Sequence, residues 1–146
     1  MLENDYLMRL LLQFVDALRR SWFEAKEKKD PKAAAEMLED AVGEATDIDG
    51  EALLALAPDS LVAVLQVSGT DPRVIEYVAR SLALSSVYQR EAGEEELADL
   101  RLAQAQALSD AYDLQLPEDP EDMADLPSSD EELEDYLKGA AEKPLP

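Results

Sequence analysis

Three carboxylates alternate through Asp47-Ile48-Asp49-Gly50-Glu51, and acids set around a glycine suggest a calcium loop. That loop requires Gly at its sixth position and a bidentate Glu at its twelfth. Counted from Asp47, Gly50 is fourth and the twelfth residue is Pro58. The spacing predicts an acidic turn and no metal site. A carboxylate-bridged metal pair inside a helical bundle would need inward Glu residues with Glu-x-x-His partners. The chain contains no His, and the acids at 94–96 and 130–132 come in runs that suit solvated faces.

The chain also contains no Cys, so the usual proton shuttle near neutral pH and the usual soft nucleophile are both missing. An enzyme built from these residues would have to work with carboxylates, hydroxyls, lysines or a borrowed cofactor, and no pair of them stands at a telling spacing. No catalytic, cofactor-binding or metal-ligating residue is assigned.

Two stretches remain as a candidate interaction surface. Arg19, Arg20 and Trp22, followed by Lys26, Lys28, Lys29 and Lys32, form the one basic concentration. They could receive an acidic peptide or the chain's own tail, and their plain alternative is a solvated helix end. Leu133, Tyr136 and Leu137 fall on one helical face, behind a capping-box spacing at Ser129-Asp130-Glu131-Glu132. That face serves either as a partner-binding helix or as a strap over the protein's own core. About ten residues cannot hold a helix alone in water.

The elements that must position these residues are all helical. Leu7, Leu11, Phe14, Leu18 and Trp22 share a face over residues 3–29, widened by Leu10, Leu12, Val15 and Phe23. So broad a face asks for contact on more than one side, from the bundle itself or from a second subunit. Asn4 or Asp5 would cap this helix, or Asp5, Tyr6 and Arg9 would form a recognition edge. Asp30-Pro31 starts a second helix to about Thr46, with Ala34, Met37, Leu38, Ala41 and Val42 inward. Short helices at 51–57 and 59–67 follow, split by Pro58 with Asp59 as a cap. A hairpin over 72–116 turns at Gly93. Its first arm packs through Val74, Ile75, Val78, Leu82, Leu84 and Tyr88, and its second through Leu97, Leu100, Ala103, Ala107, Leu108 and Ala111. Nothing alternates with period two, so the fold class is all-α. Residues 1–116 form one helical domain. Residues 117–146 read as an acidic Pro-rich tail with a short amphipathic helix at about 129–138.

Charge sharpens this division. The 146 residues carry a net charge of −21, with 47 % hydrophobic and 32 % charged residues. Residues 1–32 hold seven bases against six acids, residues 33–116 four against 17, and residues 117–146 two against 11. A phosphate backbone or an anionic leaflet would be repelled by nearly all of this surface, so neither nucleic acid nor membrane is an expected partner. The opening residues carry acids where a signal peptide would carry bases, and the absence of Cys fits a reducing compartment, so the expected location is cytoplasmic.

The hairpin resembles a tetratricopeptide unit, with Leu84, Tyr88, Gly93, Ala98 and Ala105 near that repeat's intervals and one extra residue in the turn. A single copy implies a repeat-like hairpin in a small bundle, since an array needs about three. Residues 1–116 also resemble an uncharacterised bacterial family of small helical proteins, a domain of unknown function. That resemblance rests on the opening Asn4-Asp5-Tyr6-Leu7-Met8-Arg9, the paired short helices from Leu53 to Leu65, and the hairpin. It implies the fold and no activity.

The expectation is a non-enzymatic protein–protein interaction or scaffold module. Its partner would be another protein, a second copy meeting it through helix 1, or both. One alternative is an acidic decoy that occupies a basic, nucleic-acid-binding protein surface. Another is an enzyme using carboxylates or a borrowed cofactor.

Overall fold

The helices that begin at Pro31 and Pro72 start in the same way. In each, the preceding Asp caps the free amides: Asp30 accepts from the Ala33 N–H at 3.1 Å and Asp71 from the Arg73 N–H at 2.8 Å. The computed structural model describes residues 2–124. These form α1 (Leu2–Lys26), α2 (Pro31–Thr46), α3 (Gly50–Leu54), α4 (Pro58–Ser68), α5 (Pro72–Glu91), α6 (Glu95–Tyr112) and α7 (Pro120–Ala124). The protein is an all-α bundle, with no strand among the described residues.

Helix α5 is the axis of the fold. It packs against α1, α2, α6 and α7, and it is buried nearly all round. Val74, Ile75, Val78, Leu82, Leu84 and Tyr88 all lie in the core, joined by Phe14 of α1 stacked on Tyr77 with ring centroids 6.1 Å apart. The chain reverses between α5 and α6 through Gly93, whose φ of +85° is a conformation that side chains rarely adopt. Arg90 and Asp99 pair across this turn at 2.9 Å.

The broad apolar face of α1 is covered within the chain. Leu11, Phe14, Val15 and Leu18 are buried, while Leu7, Leu10, Leu12 and Trp22 are half-buried against the same core. Helices α2, α5 and α7 all pack on α1, so the breadth of the face has an intramolecular explanation. Among the residues of this helix whose side chains are described, Tyr6 and Phe23 are the exposed large apolar ones, at 61 % and 54 %.

Several boundaries differ from those expected from the pattern. Helix α1 begins at Leu2, which places Asn4 and Asp5 inside its first turn and not at a cap. It ends at Lys26, three residues early, and Lys29 then takes a left-handed φ of 56°. Helix α4 starts at Pro58 with Ala57 in the cap position and no side-chain cap, so Asp59 sits in the first turn, where its charge suits the helix end. Pro120–Ala124, within the stretch expected as linker, is helix α7, and it buries Met123 against the core. The helix expected at 129–138, with Leu133, Tyr136 and Leu137, lies outside the described residues.

The largest difference concerns α6. Its buried residues are Ala98, Arg101, Gln104, Ala105 and Leu108. Leu97, Leu100, Ala103 and Ala107 are half-buried and Ala111 is exposed. The helix is turned by about one residue from the orientation its alanines and leucines suggest. Polar groups elsewhere in the fold explain the rotation.

Candidate functional site

Glu39 and Arg101 meet at 2.8 Å between α2 and α6, with side chains 17 % and 6 % exposed. Removing both charges from water is expensive, and the attraction offsets it only when the remaining donors and acceptors are also used. They nearly all are. The second oxygen of Glu39 accepts from Ser85 Oγ at 2.8 Å and from Gln89 Nε2 at 2.9 Å, both on α5. Arg101 Nη1 donates to the Leu54 carbonyl at 2.7 Å and to Gln104 Oε1 at 3.1 Å. Gln104 Nε2 in turn donates to the carbonyls of Leu54 and Leu56 at 3.0 and 2.9 Å.

These carbonyls belong to the end of α3 and the residues just after it, where helix geometry leaves acceptors without intrahelical partners. Arg101 and Gln104 satisfy them from α6. This is why α6 presents a polar stripe inward. One network thereby joins α2, α5, α6 and the α3–α4 connection. Arg101 Nε and Gln89 Oε1 are its two buried atoms with no hydrogen-bond partner among the described residues.

Above this network lies an open groove of about 1010 Å³ bounded by α2, α3 and α6. Glu36, Asp40 and Glu44 follow one another at four-residue steps along α2 and line it, as do Asp49 and Glu51 from the α3 side. Leu54, Leu97 and Leu100 supply apolar surface, and Arg101 contributes to the lining. The groove is possible because α2 and α3 cross closely at two glycines. A Cβ on Gly43 would sit 3.1 Å from the Gly50 Cα.

The Asp47–Glu51 segment is used structurally. Asp47 ends α2 in a left-handed conformation, with a φ of 56°, and the Asp49 carboxylate caps α3 at the Glu51 N–H. Among the described residues, no three His, Cys, Asp or Glu side chains converge closely enough to hold a metal ion. No helix there is long and apolar enough to cross a membrane.

The basic end of α1 lies on a different flank. Arg19 and Arg20 are exposed, and Arg20 pairs with Asp16 at 3.4 Å. Trp22 is half-buried beneath the Lys26 ammonium, 4.9 Å from its ring centroid. Arg19, Arg20, Phe23, Lys28 and Met37 border a shallow depression of about 460 Å³. Arg19, Lys29 and Lys32 form no ion pair among the described residues. The structure therefore gathers Arg19 and Arg20 beside Phe23, which periodicity had assigned to the apolar face. The acidic groove escaped the sequence reading, although its signal was present: the four-residue spacing of Glu36, Asp40 and Glu44. No protein-family model, no curated protein and no solved structure matches this chain.

Proposed function

We propose that this chain is a non-enzymatic protein-interaction module whose acidic groove between α2, α3 and α6 receives a basic segment of a partner protein. The observation that carries this reading is the stripe of Glu36, Asp40 and Glu44 facing Asp49 and Glu51 across a groove with apolar surface. Acids four residues apart on a helix repel, by roughly 0.2–0.5 kcal/mol per pair. A fold has no stability reason to keep two such pairs in register above a neutralised Arg101. A Lys- or Arg-bearing segment would relieve that repulsion, and its aliphatic stems would cover Leu97 and Leu100. The groove supplies the shape and the carboxylates supply steering, which raises association rates in a salt-dependent way.

The acidic-decoy reading shares the basic partner but assigns recognition to charge at large, including residues 117–146 with their 11 acids. Titration of the full chain with a fluorescent Lys/Arg-rich peptide separates the two. Neutralising the groove as Glu36→Gln, Asp40→Asn and Glu44→Gln is expected to abolish binding under the groove reading. Equal weakening by neutralising any three exposed acids supports the decoy. A peptide that never binds overturns both. A thermal-shift screen with divalent metals, nucleotides and common cofactors addresses the enzymatic alternative, since a ligand specific for the folded state raises Tm.

A further inference from the structure

The broad face of α1 is used within the chain, whereas α4 keeps a face that nothing in the bundle uses. Residues 60–70 carry no charged side chain, the longest such run in a chain of net charge −21. Within α4, Leu61 and Leu65 are buried, and Val62 lies beside Ala103 and Ala107 of α6. Val64 comes two residues later, about 200° further round the helix, so it leaves α4 on the side away from α6. Val64 and Val67 are both exposed, Val67 at 90 %.

Single exposed valines are ordinary. These two belong to a larger patch. Val64 stands one turn before Ser68 on the same side of α4, and Val67 immediately precedes Ser68. Ser68 and Thr70 border an open recess of about 530 Å³. Its apolar surface comes from Tyr6, Leu7 and Leu10 of α1 and from Val74 of α5. Three of the five exposed large apolar side chains among the described residues, Tyr6, Val64 and Val67, therefore gather at this end of the bundle. The turn after α4 is open as well: a Cβ on Gly69 would meet no described atom within 4 Å.

Charge selects the occupant. The recess contains one carboxylate, Asp71, which the Arg73 guanidinium already holds at 3.0 Å and which also caps α5. Neither an acidic nor a basic segment finds an unpaired opposite charge there. A second copy does find its complement, because the patch sets an apolar projection beside an apolar recess. Two chains of charge −21 can also touch at this face without bringing unpaired carboxylates together.

We propose that two copies of this chain pair symmetrically through α4, each seating Val67 in the recess beside Tyr6 of the other. Such a contact is isologous and closes at two. Pairing does not depend on what the acidic groove binds. None of the recess residues lines that groove, so the pair would present two grooves and gain avidity for a partner with two basic segments.

Sedimentation equilibrium of the full chain over a wide concentration range, at low and at high salt, tests this. A monomer–dimer equilibrium is expected, and it should tighten as salt screens the repulsion between the two chains. Val67→Asp places an unpaired charge on the seam and should weaken pairing on the order of a hundredfold. Tyr6→Ser should weaken it less. Both side chains are exposed, so either variant keeps the test valid if the other fails to fold. Phe23→Ser, at the other end of α1, should leave pairing unchanged. A monomer at every concentration overturns the proposal and gives the recess to a different occupant. So does a dimer that Val67→Asp and Tyr6→Ser leave intact, one that Phe23→Ser breaks, or one that loosens as salt rises.

Discussion

Arg80 and Arg101 are nearly equally buried, at 8 % and 5 % exposure, and they differ in everything else. Arg101 has a carboxylate, a glutamine and a backbone carbonyl within hydrogen-bonding distance. Arg80 has no such set among the described residues. Burial alone therefore says little about what a charge contributes. A charge whose partners lie within the bundle ties helices together, whereas one without them does not.

The largest expected effect breaks the Arg101 side of this comparison. Arg101→Met leaves Glu39 buried without its cation and should cost about 3–5 kcal/mol in urea unfolding. That is a large share of the roughly 5–15 kcal/mol that holds a typical domain together. Arg80→Met removes a buried charge that loses no partner within the bundle, so the cost to the bundle itself should stay within about 1 kcal/mol of zero. Similar losses for the two variants would erase the contrast between these arginines.

Gln104→Ala is the next step down. It takes the side-chain donor from the Leu56 carbonyl and leaves the Leu54 carbonyl to Arg101, and should cost about 1–3 kcal/mol, the range for buried groups left unsatisfied. Asp71→Ala removes the α5 cap at the edge of the fold and should cost about 1 kcal/mol. Its hydrogen bonds from the Arg73 guanidinium hold the Asp71 carboxyl below its ordinary range, against a smaller opposing effect of burial. The stabilisation is therefore present above the ordinary carboxylate pKa and fades as pH falls through the lowered one. The unmutated chain and Asp71→Ala should converge in stability under strong acid.

The smallest effect concerns Tyr88, whose hydroxyl lies 3.1 Å from Ser21 Oγ in the core. Burial raises its phenol well above the ordinary value of 10.0, outweighing the hydrogen bond to Ser21. The neutral form is thus favoured in the fold, so stability is fully present below the ordinary value and is lost as pH rises beyond it. Tyr88→Phe should lose less stability between neutral and alkaline pH than the unmutated chain. An identical alkaline decline in both would assign it to other groups.

How much of the fold was legible depends on which physical signal each region uses. Asp30-Pro31 and Asp71-Pro72 announced two helix starts because capping and a fixed φ act within a few residues. The buried positions of α5 followed from spacing. The inward stripe of α6 did not. Apolar periodicity ranks Leu97 and Leu100 above Arg101 and Gln104, and it carries no information about carbonyls released some fifty residues earlier in the chain. The groove was half-legible: the four-residue spacing puts Glu36, Asp40 and Glu44 on one face, but only the α2–α3 crossing at Gly43 and Gly50 shows what that face looks onto.

By itself, then, the sequence determined an all-α chain, most of its helix starts and turns, and a strongly uneven distribution of charge. Those properties come from backbone conformation and local spacing, which are read within one or two helical turns. The tertiary structure alone decided which charges are buried and which of them are paired. Glu39 and Arg101 are 62 residues apart, and the cost of burying either depends on the distance to the other, a quantity that exists only once the helices have packed.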